Sequence, residues 1–369
     1  MTEVRERFAF IHALRGVASL LVVWSHLSGF WLLETGNTSV LQDAWYTVVA
    51  GPLHIYQNGG HLGVVLFFLI SGYIISHTSL RESHGEFAIK RVMRILPPLI
   101  VATLVTWVLL QLSTAMGDRL FGINDGPVWH WLTAPFLIDG FLPGGRALDV
   151  TWTLVVEVVF YATTFVLLGL SRSRPVLALY AMLGIWAALT AITVGVPALR
   201  ETANAPVVVY VGFLIAGRAI YLLHRTGARR VPVVVAGVLA IAGYCIFVEM
   251  LSPGFLVAPG GWSGVEPFVS YIYAFVIFIG LMLLAPRRLW QPFRFLGDIS
   301  YSLYLLHLPV GMLALNLLDR TSMPHAIATL VAIAAALAVS WLAFIAVERP
   351  SQRAARHLLG RRSQRVDTQ

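Results

Sequence analysis

Long apolar runs alternate with shorter polar segments from one end of the chain to the other. A helix that crosses about 30 Å of hydrocarbon needs about 20 predominantly apolar residues. Ten runs meet this requirement, at residues 8–30, 61–78, 96–113, 152–170, 176–195, 206–223, 231–250, 267–285, 299–318 and 325–347. The pattern predicts an all-α polytopic membrane protein with ten transmembrane helices.

Basic residues are unevenly divided among the segments that join these runs. With a cytoplasmic N-terminus, the cytoplasmic segments hold twenty Lys and Arg residues and the opposite segments hold four. Short cytoplasmic loops of membrane proteins are enriched in these two residues. We therefore expect both termini to be cytoplasmic and the protein to be a multi-pass protein of a bacterial inner or plasma membrane.

Composition supports the same class and limits the partners. The chain is 58% hydrophobic and only 12% charged, which excludes a water-soluble globular protein. Its net charge of +8 lies mostly on the predicted inner surface, where it matches anionic membrane lipid, so no nucleic-acid partner is predicted. Residues 1–350 are predicted to form one membrane domain and residues 351–369 a basic cytoplasmic tail. The first run lacks a small-residue cleavage site, so we expect it to remain as a helix.

Four ionisable residues lie deep within the apolar runs: Arg15, His26, Glu157 and His307. An unpaired ionisable side chain in lipid is costly, so such residues usually mark a functional site. Arg15 and His26 are eleven positions apart, which places them on one face of a helix at depths about 16 Å apart.

Polar side chains recur at helical spacing in the fourth and ninth runs. Thr153, Glu157 and Tyr161 form one stripe. The second stripe consists of Ser300, Tyr304 and His307. Because neither stripe suits lipid, both are expected to face a shared interior cavity. A simpler alternative is that Glu157 only pairs with Arg15 to hold two helices together.

Three further features have competing interpretations. Arg91 and Arg94, three positions apart before Pro97, either follow from orientation alone or bind phosphate through paired guanidinium groups. Ser71 and Gly72 are interpreted as small residues that let helices approach closely. Aromatic residues of segment 114–151 either stack on sugar rings or form an interfacial belt. The histidines show no metal-ligand spacing, so no metal is predicted.

These motifs together resemble the acyltransferase 3 family of integral membrane O-acyltransferases. The family's Arg-x10-His matches Arg15 and His26, and its aromatic-Ser-Gly segment resembles "FFLISGY". Its Arg-x-x-Arg resembles Arg91 and Arg94, and its Trp-Ser-Leu-x-x-Glu-x-x-Phe-Tyr resembles the stretch that starts at Trp152. "LGDISYSLYLLHLP" and the late "ERP" also fit, so the matches run from residue 13 to residue 350.

Two departures from the family pattern matter. Thr153 stands where the family more often has serine, which keeps the hydroxyl. Many relatives also carry a fused extracytoplasmic hydrolase-like domain. We expect none here, so the membrane domain or a separate partner is expected to recognise the acceptor. The resemblance implies transfer of an acyl group from acyl-CoA, the donor substrate, to a hydroxyl of a sugar or glycosylated acceptor such as a surface polysaccharide, a glycolipid or a macrolide-type metabolite.

The chemistry of acyl transfer suggests roles for these residues. His26 is the predicted general base, because neutral imidazole accepts a proton near pH 7. Arg15, with Arg91 and Arg94, is predicted to hold the polyphosphate end of the donor, and Glu157 to orient His26 or balance Arg15. The predicted contacts to the oxyanion or the acceptor are Tyr161, Ser300, Tyr304, His307 and Trp152.

Two other classes of protein are compatible with the same helices. A proton-coupled transporter also buries His, Glu and Arg side chains, although the chain shows no convincing inverted repeat. A non-catalytic scaffold or sensor is the third class. Formation of an acyl ester distinguishes the enzyme from both.

Overall fold

The computed structural model describes residues 9–251, 266–284 and 291–366. Ten helices in these ranges are long and apolar enough to cross a membrane, which confirms the predicted number. Helices α1 to α10 are Phe10–Thr35, Tyr56–Ser79, His84–Ala115, Asp149–Val166, Pro175–Gly195, Val207–Arg225, Arg230–Leu251, Glu266–Leu284, Phe293–Asp319 and His325–Gly360. The predicted limits at residues 8, 285 and 369 lie outside the described residues.

Helices α2 and α6 form the centre of the bundle, since most of their residues are buried, whereas α7 and α10 expose most of theirs. Apolar side chains exposed all along a helix suit contact with lipid. Helix α2 packs against α1, α6 and α8, and α9 packs against α1 and α10. The polar side chains of helices α1, α2 and α9 therefore lie in the interior of the bundle.

Glycines allow the two central helices to approach closely. A Cβ atom at Gly72 of α2 would collide with the backbone of Leu214, and one at Gly217 of α6 would collide with the backbone of Leu69. Small residues at helix interfaces permit such backbone contact. The packing role predicted for Gly72 is therefore confirmed.

Helix α3 begins earlier than its apolar run. The predicted start at residue 96 is wrong, because the helix begins at His84. Ser83 and Glu86 form a capping box, in which the Ser83 backbone N–H donates to the Glu86 carboxylate at 2.8 Å. The helix then continues through Pro97 and Pro98. Arg94 thus lies within a continuous helix and not at its start.

The last helix also extends beyond its apolar run. Helix α10 continues past the predicted end at residue 347 to Gly360, and helical structure persists to Val366. The described part of the predicted basic tail is therefore helical. This part of the helix was not predicted because its charged side chains do not form an apolar run.

Helix α1 changes its hydrogen-bonding pattern at the position of His26. Residues Ser25–Phe30 form a π-helical turn between two α-helical stretches. Such turns are rare and occur frequently at functional sites. The extra residue in this turn rotates the following side chains relative to a regular helix.

The segment between α3 and α4 folds into short helical turns, the longest being Val128–Thr133. The buried Asp139 carboxylate accepts a hydrogen bond from the Ala147 backbone N–H at 2.8 Å. Burial nevertheless raises the pKa of Asp139 above its usual value. His130 Nε2 contacts the Pro143 carbonyl oxygen at 2.8 Å, which ties the segment together.

Candidate active site

A cavity of about 60 Å³, here called the inner cavity, lies among five helices. Its polar lining comes from α1, α2, α3, α4 and α9 and consists of Arg15, Ser71, Arg94, Thr153, Glu157, Ser300, Tyr301 and Tyr304. The predicted stripes of α4 and α9 therefore do share an interior cavity. Tyr161 and His307 belong to those stripes but do not line the cavity.

Glu157 is held inside the inner cavity by two hydroxyl groups. Its carboxylate accepts a hydrogen bond from Ser71 Oγ and another from Tyr161 Oη at 3.0 Å. The structure therefore does not place Glu157 as the group that orients His26, because both carboxylate oxygens are engaged elsewhere. Ser71, interpreted from the sequence as a packing residue, has this polar role as well.

Two arginines and two carboxylates balance one another around the inner cavity. Arg15 and Arg94 lie close enough to Glu157 and Glu348 for favourable electrostatic interaction. Glu348 is buried and accepts a hydrogen bond from Ser302 Oγ at 2.7 Å. Glu348 was missed as a site residue, although an acidic residue at the end of the last apolar run was a signal for it. Arg15 thus interacts with more than one carboxylate.

Arg91 does not join Arg94 in the inner cavity. Its Nη2 atom lies 3.2 Å from a carboxylate oxygen of Glu82 and 2.6 Å from Thr78 Oγ1. The guanidinium group also stacks on the Phe87 ring, 4.8 Å from its centroid. The predicted arginine pair is therefore divided between the cavity and an ion pair outside it.

A much larger cavity of about 830 Å³, here called the outer chamber, lies on the predicted outer side. His26, His61 and Trp152 line both this chamber and an adjoining pocket of about 110 Å³. Tyr304 lines the adjoining pocket and the inner cavity. Tyr304 therefore stands between the inner cavity and the pocket that contains His26.

His26 and His307 contact each other, although they are far apart in the chain. The distance between His26 Nδ1 and His307 Nε2 is 3.2 Å. His26 Nδ1 also lies 3.0 Å from the Val22 carbonyl oxygen. His307 Nδ1 lies 3.0 Å from the Leu303 carbonyl oxygen and 2.9 Å from that of Tyr304.

These contacts assign the protons of the neutral imidazoles. A carbonyl oxygen only accepts, so both Nδ1 atoms must carry hydrogen. Neutral His307 then has a lone pair on Nε2, which shares the single His26 Nδ1–H with the Val22 carbonyl oxygen. The remaining nitrogen of His26, Nε2, keeps its lone pair and has no hydrogen-bond partner within the part of the chain that the structure describes. His26 is therefore the imidazole that is equipped to accept a proton from a substrate.

The hydroxyl groups predicted to stabilise an oxyanion already donate to acceptors of the protein. Tyr304 Oη donates to the Val150 carbonyl oxygen at 2.7 Å and accepts from Thr153 Oγ1 at 2.8 Å. Ser300 Oγ donates to the Gly297 carbonyl oxygen at 2.9 Å. The proton of Tyr161 is directed at Glu157, as described above. An oxyanion contact from any of them requires an existing hydrogen bond to break.

Aromatic residues of segment 114–151 do not line the outer chamber or the adjoining pocket. Trp131 is buried, whereas Trp129, Phe136 and Phe141 are exposed. Their positions fit the interfacial belt better than sugar stacking at this site. Trp152, at the start of α4, is the aromatic residue that reaches the chamber.

The described residues contain no group of three or more His, Cys, Asp and Glu side chains that could hold a metal ion. The single cysteine, Cys245, is a half-buried free thiol on α7.

The bundle, the buried arginine and imidazole groups and the two cavities define a membrane-embedded protein with a polar interior site. The family model described as "Acyltransferase domain" matches residues 8–345. The chain belongs to this family, the acyltransferase 3 family, as its motifs indicated.

Three curated relatives share parts of the sequence. The putative peptidoglycan O-acetyltransferase YrhL of Bacillus subtilis is 27% identical over 295 residues, which cover 70% of this chain and 45% of the relative. Nodulation protein 10 of Rhizobium leguminosarum is 30% identical over 141 residues, covering 34% of this chain and 38% of the relative. The O-acetyl transferase of Shigella phage Sf6 is 38% identical over 55 residues, 15% of this chain and 16% of the relative.

The matched regions span less than half the length of each relative. No solved structure is significantly similar to the chain.

Proposed function

We propose that this protein is a cytoplasmic-membrane O-acyltransferase that moves an acyl group from acyl-CoA to a hydroxyl of a sugar-containing acceptor. The observation that carries the proposal is the unpartnered Nε2 atom of His26, held beside the outer chamber by Val22 and His307. The family and two relatives named as O-acetyltransferases support the reaction class.

The reaction needs one proton transfer in each direction. His26 Nε2 takes the proton of the acceptor hydroxyl while the oxygen attacks the thioester carbonyl carbon. The bond from carbon to sulfur then breaks, and the thiolate of coenzyme A takes the proton from His26. The products are an acyl ester and free coenzyme A, and the imidazole returns to its neutral form.

We propose that acyl-CoA enters from the end of the bundle that is opposite the outer chamber. The inner cavity, at about 60 Å³, is narrow, so it suits a pantetheine arm after local widening and not a nucleotide. Arg15 and Arg94 would position this arm. The nucleotide end would remain at the predicted cytoplasmic surface, near Lys90 and Arg91 at the beginning of α3.

The proposal is tested with purified protein, radiolabelled acetyl-CoA and a panel of glycosides. The expected product is label in a hydroxylamine-sensitive ester. His26→Gln keeps a polar side chain but lacks a base, so transfer should fall at least about a hundredfold. His357→Gln, at an exposed position of the last helix, serves as the matched control.

Unchanged turnover of His26→Gln would contradict the role of His26. Absence of ester from every acceptor would contradict the acyltransferase assignment, and movement of label across a membrane without ester would indicate a transporter.

A further inference from the structure

The outer chamber differs from the inner cavity in charge. Two arginines, Arg15 and Arg94, line the inner cavity together with the carboxylate of Glu157. The carboxylates of Asp43 and Asp149 line the outer chamber. Among the residues that the structure describes, no Lys or Arg lines it. An anionic molecule would therefore find no cationic partner on the chamber wall.

Asp149 is the carboxylate placed nearest to the chemistry, because it lines both the chamber and the adjoining pocket that contains His26. The neighbouring cation is Arg146, which does not line the chamber. Arg146 Nη1 donates to the Ala203 carbonyl oxygen and to Asn204 Oδ1, both at 2.7 Å. The structure gives the Asp149 carboxylate no hydrogen bond within the part of the chain that it describes, so both oxygens remain available to a ligand.

A second polar group of the chamber wall, the uncharged side-chain amide of Asn58, also has an oxygen that is free to accept a hydrogen bond. Asn58 lines the chamber, and its buried Oδ1 atom has no hydrogen-bond partner among the residues that the structure describes. Gln57 and Asn58 have left-handed backbone conformations, with φ of 49° and 54°. Ser25 Oγ, next to His26 in the chain, donates to the Gln57 carbonyl oxygen at 2.8 Å. Such strained residues persist where the surrounding structure fixes them, and they cluster at ligand sites.

Aromatic rings complete the wall. Tyr56, Trp152 and Tyr210 line the chamber, and the Trp152 and Tyr210 rings lie 5.0 Å apart. A sugar ring presents apolar C–H faces and a polar edge of hydroxyl groups. Aromatic faces beside carboxylate and amide oxygens match both parts of that surface.

We infer that the outer chamber is the acceptor site, and that it takes a sugar that is uncharged or carries an amine and rejects a sugar that carries a carboxylate or a phosphate. The volume of about 830 Å³ is in the range of sites for ligands larger than one ring. This inference rests on the proposed function, since it assigns the second substrate of that reaction.

The test measures protection of a chamber thiol in a Cys245→Ser background. Leu33→Cys and, as a second variant, Thr38→Cys place a thiol at exposed positions of the chamber wall. The rate of labelling by a maleimide is measured in detergent with N-acetylglucosamine, glucosamine, glucuronic acid or glucose 6-phosphate. The first two sugars should slow labelling at least about threefold, and the two anionic sugars should not. Asp125→Cys, exposed and outside the chamber lining, should be slowed by none.

Charge is tested separately with Asp149→Asn and the matched control Asp125→Asn. Asp149→Asn should raise the glucosamine concentration for half-protection at least about fivefold, because a charge-assisted hydrogen bond is lost. The effect on N-acetylglucosamine should be smaller, and Asp125→Asn should behave as the parent protein does.

Protection by the anionic sugars equal to that by glucosamine, or protection by no sugar at all, would overturn the inference. Selective protection by neutral and amine-bearing sugars in a protein that forms no ester would instead contradict the proposed function and leave the chamber as a sugar-binding site.

Discussion

The Val22 carbonyl oxygen and His307 Nε2 together hold His26 with its Nε2 atom free. His307→Gln places an amide oxygen near the former Nε2 position and can still accept from His26 Nδ1–H. The shorter His307→Asn side chain places its amide near the former Nδ1 position, so no group is left to accept from His26 Nδ1–H. We expect His307→Gln to retain kcat within about threefold and His307→Asn to lose about tenfold or more, since a hydrogen bond of about 1–2 kcal/mol disappears. The measurement is steady-state kinetics of ester formation.

A positioning role also predicts which kinetic constant changes. The KM for acetyl-CoA should vary less than about twofold in both variants, because His307 does not line the inner cavity. Equal losses in His307→Gln and His307→Asn would mean that His307 only fills space, which the assigned hydrogen bonds do not allow.

Arg94 is expected to contact the donor. Its variants distinguish this role from that of a basic residue that only sets the orientation of the protein in the membrane. Loss of a charge-assisted contact costs about 1.5–3 kcal/mol, so Arg94→Ala should raise the KM for acyl-CoA about tenfold to a hundredfold. Arg94→Lys keeps the charge without the fork and should recover part of this loss. Arg356→Ala, at an exposed position of the last helix, is the control. Identical KM values for Arg94→Ala and Arg356→Ala would remove Arg94 from the donor path.

Individual residues show how far the sequence alone could lead. Arg15, His26, Glu157 and His307 were recognisable because ionisable side chains are rare in apolar runs. Their partners were not, since the contact between His26 and His307 joins helices 281 positions apart. Periodicity describes one helix at a time and contains no information about which faces of distant helices meet.

At the scale of helices, the close contact between α2 and α6 depends on two glycines. A methyl group at Gly72 or Gly217 would meet backbone atoms, which cannot move aside as a flexible side chain can. Gly72→Ala and Gly217→Ala should each destabilise the protein by about 1–3 kcal/mol. Gly184→Ala and Gly280→Ala, with open space at the Cβ position, should be neutral or slightly stabilising.

The measurement is the midpoint of thermal unfolding in detergent for all four variants. A midpoint of Gly72→Ala that matches the midpoint of Gly184→Ala would contradict the close packing of α2 and α6.

The ten helices were predictable because apolar length is a strong signal, whereas several of their ends were not, and the ends of α3 and α10 differ most. Helices α3 and α10 continue into charged turns, at residues 84–94 and 349–360. Hydropathy measures where lipid is tolerated, but backbone hydrogen bonds and caps determine where a helix ends. The difference matters for the site, because the continuous α3 helix carries Arg94 into the inner cavity.

At the scale of the whole molecule, the two kinds of polar space lie at different depths. The inner cavity is lined by two arginines and one carboxylate, whereas the outer chamber is lined by carboxylates, amides and aromatic rings without Lys or Arg among the described residues. Tyr304 separates the inner cavity from the pocket that contains His26. This arrangement predicts that donor and acceptor approach His26 from opposite faces of the membrane.

Ester formation across the bilayer of sealed proteoliposomes tests this central claim most directly. The fraction of protein in each orientation is determined by labelling a cysteine placed at the exposed His84 position with an impermeant maleimide in a Cys245→Ser background. Radiolabelled acetyl-CoA is then supplied on one face and N-acetylglucosamine on the other. The account predicts ester only from molecules with the His84 end facing acetyl-CoA and the outer chamber facing the sugar. Equal ester yield with acetyl-CoA on the chamber face would contradict it.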